Sequence, residues 1–89
     1  MTEATPSLLE FPCDFPIKVF GQTGEGFGEL VLYIVRRHIP ETDSTALTSR
    51  PSKGGKYTAV TVTVSAQSQE QLDAIYRELT SSPQVVMAL

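Results

Sequence analysis

The amino-acid sequence predicts an α+β domain, a β-α-β-β-α-β sandwich in which a four-stranded antiparallel sheet carries both helices on one face. Three observations carry that expectation. Two runs with strand periodicity, Phe15 to Gly21 and Lys56 to Ser65, are each followed by an apolar stripe at helical spacing. A weaker strand candidate precedes the second run, and a short apolar segment follows the second stripe. The connections are short, and 89 residues hold one hydrophobic core rather than two. Right-handed crossovers then set the strand order as 4-1-3-2.

Residues 1–14 read as an N-terminal arm and 15–89 as the domain. Pro12 and Pro16 bracket Cys13 and Asp14 in an extended lead-in, because the residue before a proline is driven out of the helical region. The arm is expected to dock through Leu8, Leu9 and Phe11. The first strand, Phe15 to Gly21, sets Ile17 and Val19 on one face and Lys18 and Phe20 on the other. Four glycines between Gly21 and Gly28 form a flexible connection. Phe27, Leu30, Val31, Ile34, Val35 and His38 then recur as one helical face, predicting a helix from Phe27 to His38. Arg36, Arg37 and His38 complement the negative end of its dipole, and Pro40 stops it.

Thr45 to Arg50 has only Ala46 and Leu47 as apolar residues, which suits an edge strand, and Pro51 to Gly55 supplies turn chemistry. In the run from Lys56 to Ser65, Val60, Val62 and Val64 alternate with Thr61, Thr63 and Ser65, as a half-buried central strand requires. Ser68 with Gln71 reads as a capping box, and Leu72, Ile75, Tyr76 and Leu79 form the stripe of a second helix ending near Ser81. Val85 to Leu89 is expected as the last strand, packed through Val85, Met87 and Leu89.

Composition narrows function. The net charge of −3 repels nucleic-acid phosphates and anionic lipid, no run is long enough to cross a bilayer, and the lone Cys13 can close no intrachain disulfide. A cytoplasmic setting without nucleic acid or membrane is expected. Chemistry is narrowed further by what the glycine loop lacks. Gly21 and Gly26 have Walker A spacing, yet Phe27 stands where the phosphate-binding lysine belongs, and no glycine opens a dinucleotide fingerprint. Gly24, Glu25, Gly26 and Phe27 resemble the acylphosphatase cradle, but Gly28 replaces its arginine and the chain has no asparagine to orient water. One histidine and one cysteine make no metal cluster, and nothing pairs Cys13 with His38 as nucleophile and base. No catalytic residue, cofactor or metal is expected. Phe20 and Tyr57 alone are too sparse an aromatic platform for RNA.

Two surfaces remain as candidates. The topology brings Arg50, Lys53 and Lys56 of the hairpin to the end that carries Gly24, Gly26 and the N-terminus of the first helix, where a small anionic metabolite would find N–H donors and positive charge. A merely solvated hairpin is the structural alternative. The uncovered sheet face, with Phe20, Tyr57, Thr61, Thr63, Val86 and Ala88, carries too little charge for a fully wet surface and suits a protein partner or a homodimer.

Leu8-Leu9-Glu10-Phe11-Pro12, Phe15 to Gly21, the hairpin with Lys53 and Gly55-Lys56-Tyr57, and Glu70 to Leu79 closing on Val85 to Leu89 together resemble the YbeD-like family of small bacterial proteins. The resemblance implies a ferredoxin-like fold similar to ACT regulatory domains and a regulatory or binding role linked to lipoate. ACT domains that bind amino acids carry an acidic residue and proline-glycine after the first strand, where this chain reads Gly21-Gln22-Thr23-Gly24. Lys53 lacks the Asp-Lys-Ala turn of lipoylated carriers, so it is not expected to carry lipoate. The leading expectation is a non-enzymatic ligand-binding or regulatory module responding to a small anionic metabolite. The alternative is an interaction or oligomerisation module using the open sheet face or an edge strand.

Overall fold

A computed structural model describes residues 10–52 and 54–89, so Leu8, Leu9 and Lys53 lie outside the described residues. Its elements follow in the order β1 (Cys13–Gln22), α1 (Phe27–His38), a 3-10 turn (Ser44–Ala46), β2 (Leu47–Pro51), β3 (Tyr57–Ala66), α2 (Gln69–Thr80) and β4 (Val85–Ala88). The strands form one antiparallel sheet in the order β2-β3-β1-β4, the predicted topology read from the opposite edge.

Alternation in the two central strands determines where the core lies. Ile17 and Val19 of β1 and Val60, Val62, Val64 and Ala66 of β3 are buried on one side of the sheet. Both helices lay their apolar stripes there, and Val31, Ile34, Val35, Leu72, Ile75 and Leu79 complete a single cluster. Strand β1 opens at Cys13, two residues before the expected start, and Phe11 packs against the core ahead of it. It tolerates Pro16 because that residue's missing N–H belongs on the β4 side. Lys18 exchanges two backbone bonds with Leu89 there, and Pro16, two residues earlier on the same side, lies beyond that pair.

Helix α1 begins behind Gly26, whose φ of 81° is a left-handed conformation that residues with a side chain adopt rarely. At its other end Ile39 donates its N–H to the Val35 carbonyl at 2.8 Å, and the buried Thr42 hydroxyl donates to Ile39 O at 2.8 Å, closing the chain reversal. Glu78 of α2 ties the two helices together. Its carboxylate accepts from Arg37 Nη1 at 2.7 Å and meets His38 Nε2 at 2.8 Å, so the half-buried imidazole is a packing and pairing group.

The predicted cap of α2 forms in part. Ser68 Oγ accepts from Gln71 N at 3.1 Å, while Gln71 Oε1 reaches back to the N–H of Gln67 at 2.8 Å rather than to Ser68. Gln71 Nε2 also donates to the His38 carbonyl at 3.2 Å, which fastens the start of α2 to the end of α1. On the same helix, burial raises the Tyr76 phenol above its ordinary value of 10.0. The folded chain therefore holds that proton more tightly than the unfolded chain, so this contribution is whole below pH 10 and is lost as pH rises above it. Between about pH 9 and pH 11 the urea midpoint of the wild type should fall further than that of Tyr76→Phe.

Candidate functional site

Three connections meet at one end of the sheet. Thr23 donates its N–H to the Lys56 carbonyl at 3.0 Å, and the Thr23 and Thr58 hydroxyls share a hydrogen bond of 2.9 Å. Gly21 lies against the Gln84 carbonyl of the α2 to β4 connection and the Phe27 ring. The hairpin is closed by Ser52, which donates its N–H to Tyr57 O at 2.7 Å and accepts from Tyr57 N at 3.0 Å through its hydroxyl. Gly54 and Gly55, at φ of 90° and 72°, make the reversal that Pro51 to Gly55 promised.

The expected basic cluster divides at this end. Gly24 and Gly26 line a cavity of about 390 Å³ between α1 and β2, together with Phe27, Leu32, Leu47 and Glu29. Arg50 is not among its lining residues. It stands opposite Ala59, an outward position of β3, so it projects from the other face of the sheet. Successive strand residues alternate, and Ser49, not Arg50, shares the helix side with the cavity. Lys56 is exposed in the hairpin and does not line the cavity, and Lys53 lies outside the described residues.

The open face is built from the outward positions of all four strands. Phe20, Tyr57, Thr61 and Thr63 are there as expected, since Gln22 pairs with Tyr57, Phe20 with Ala59, Lys18 with Thr61 and Pro16 with Thr63. Strand β4 departs from expectation. Its register against β1 slips between Phe20 and Gly21, so that Gly21 pairs with Val85, Phe20 with Met87 and Val19 with Ala88. The extra residue, Val86, forms a bulge, which reverses the facing of everything after it. Val85 and Ala88 therefore pack on the core, whereas Met87, beside Phe20, and Leu89, opposite Lys18, face outward. Tyr57, Met87 and Leu89 are 41%, 46% and 59% exposed, and the other exposed large hydrophobic side chains among the described residues are Val86 in the bulge and Tyr33 on α1.

Few charged side chains stand on the open face. The charged side chains at outward strand positions are Lys18, Arg50 and Asp14, and Asp14 lies at the far end of β1 beside Ser65. The helices on the opposite side carry charges of both signs, Glu29, Glu70, Asp73 and Glu78 with Arg36, Arg37 and Arg77. A shallow depression of about 340 Å³ runs across the open face between Lys18 and Arg50, floored by Phe20, Ala59 and Thr61.

Residues 6–89 match the model of a protein family described as "Protein of unknown function (DUF493)". The chain belongs to this family. The resemblance to a family of small bacterial proteins is confirmed at that level. A UPF0250 protein of Paraburkholderia phytofirmans is 49% identical over 89 residues, all of both chains. A UPF0250 protein of Neisseria gonorrhoeae is 49% identical over 87 residues, 98% of this chain and 96% of the relative. Among solved structures, the solution structure of protein HP0495 from H. pylori superposes with a TM-score of 0.71 over 96% of this chain and 88% of that one. At 15% identity that likeness concerns the fold alone. These likenesses carry no ligand with them, lipoate included.

Within this DUF493 domain, alternation alone recovers the open face of β1 and β3 and misses Met87 and Leu89. Val85 to Leu89 is apolar at every position, so no period marks where the bulge falls. The cavity beside α1 is likewise absent from any local signal, because Leu32, Ser44 and Ser49 reach it from three elements.

Proposed function

We propose that this chain is a non-enzymatic interaction module of the cytoplasm that receives a partner protein on the open face of its sheet. One observation carries the reading: Phe20, Tyr57, Met87 and Leu89 stand together at outward positions, with Lys18 and Arg50 beside them. Covering what is still exposed of each side chain contributes roughly 1 kcal/mol, about half the value for complete burial, while flanking cations select and steer the incoming surface. The fitting partner has an apolar centre flanked by carboxylates. A second copy fits less well, because two such faces would bring both copies' Lys18 and Arg50 into one interface with Asp14 as the available strand carboxylate. A regulatory response to a small anionic metabolite has less support, since Arg50 lies across the sheet from Gly24 and Gly26.

A photo-crosslinking residue at Thr61, on the open face, tests the reading in cells against the same residue at Tyr33, on α1. Thr61 should capture a defined protein that Tyr33 does not. Once that protein is purified, Arg50→Glu and Met87→Asp should each weaken its binding by about tenfold or more. Unchanged affinity, capture from neither position, or capture of a second copy of this chain would each defeat the reading.

A further inference from the structure

The cavity between α1 and β2 lies on the helix side of the sheet, away from the open face, and its chemistry differs. Phe27, Leu32 and Leu47 make its floor, the hydroxyls of Ser44, Ser49 and Thr58 stand around it, and Glu29 is its one ionisable side chain. Its volume of about 390 Å³ suits a small molecule. Glycine keeps it open. A Cβ on Gly28 would approach Leu47 Cδ2 at 3.5 Å, an ordinary contact, so the space there is free for a side chain that the sequence does not supply. Glu29 is exposed at the mouth of the cavity and turns back over the helix start, with Oε1 3.5 Å from where a Cβ on Gly26 would stand.

The sign of the local field decides the ligand class. The start of α1 contributes about half a positive charge, whereas a carboxylate contributes a full negative one. None of the lining residues is a lysine or arginine. An anion placed here would face Glu29 without a cation to hold it. An ammonium group has three donors and no acceptor, and Glu29 with the hydroxyls of Ser44 and Ser49 supplies acceptors among the apolar lining residues.

We infer that this cavity binds a small primary amine with an aliphatic body, its ammonium held by Glu29 and its hydrocarbon laid on Phe27, Leu32 and Leu47. The helix dipole gives Glu29 a structural occupation as well, and the test separates the two. Amide resonances of the full chain are followed during titration with n-butylamine and, in parallel, with butyrate, which has the same number of carbons and the opposite charge. Butylamine should shift Gly24, Gly26, Gly28 and Ser49 and bind about threefold or more tightly than butyrate, the gain expected of one exposed charge pair. Glu29→Gln should remove that advantage. Gly28→Val should block binding while keeping the melting temperature, because valine fits the helix at least as well as glycine. Equal shifts by butyrate, no shift by butylamine, or amine binding unchanged in Glu29→Gln would overturn the inference. So would movement of the same signals on diluting the protein alone, which would assign the cavity to a second copy.

Discussion

Alanine at position 21 destabilises the domain by about 1–3 kcal/mol, and valine by more, although both residues suit a strand better than glycine. Gly21 pairs with Thr58 on one side and Val85 on the other, so its side-chain position points toward the helices. A Cβ there would collide with the Gln84 carbonyl oxygen and with the Phe27 ring. The ring could turn aside, but the carbonyl belongs to the backbone that leads α2 into β4, and moving it disturbs the bulge. Strand preference is worth at most about 1 kcal/mol in the favourable direction, so the collision wins. Urea unfolding of Gly21→Ala beside Gly24→Ala checks this, because a Cβ on Gly24 meets nothing within 4 Å. Equal midpoints for the two variants would refute it.

Leu79→Ala costs about 2–5 kcal/mol, the range for removing a buried leucine and leaving part of its volume empty. Leu79 is fully buried on α2, within the cluster that joins both helices to the sheet. Domains are stable by roughly 0.05–0.15 kcal/mol per residue, so this loss removes a large share of the total in a chain of 89 residues. The same truncation at Tyr33, which is 62% exposed on α1, should stay within about 0.5 kcal/mol of the wild type. Thermal melts of the pair supply the comparison. A melting temperature for Leu79→Ala near that of Tyr33→Ala would contradict the placement of the core.

These two sites also show what the amino-acid order makes legible. Leu79 is readable because its spacing from Leu72, Ile75 and Tyr76 repeats a helical turn, and period is a local property. The limits of α1 are readable for the same reason, since a glycine-rich entry and Pro40 frame Phe27 to His38. Strand order follows from the handedness of crossovers, which holds for any sequence with this element order. Gly21 is different: its need for glycine comes from Gln84, sixty-three residues away, and nothing around position 21 announces it. Arg50 fails in a third way. The hairpin does reach the glycine loop, through the Thr23 to Lys56 bond, but the face on which Arg50 projects depends on pairing register, and Thr45 to Arg50 is too weakly patterned to declare it. The candidate site inherits these differences. Phe20, Tyr57, Thr61 and Thr63 were legible from alternation, whereas the residues that make the face apolar, Met87 and Leu89, depend on a bulge.

That bulge is where the functional reading rests, because without it Met87 and Leu89 would be core residues and the smaller Val86 and Ala88 would take their outward places beside Phe20 and Tyr57. Methyl resonances recorded with and without a soluble gadolinium chelate measure the point directly. The Met87 and Leu89 methyls should relax far faster in its presence, while those of Ile75, Leu79 and Val85 change less. Protection of Met87 comparable to that of Leu79 would place it inside and contradict the face proposed for the partner.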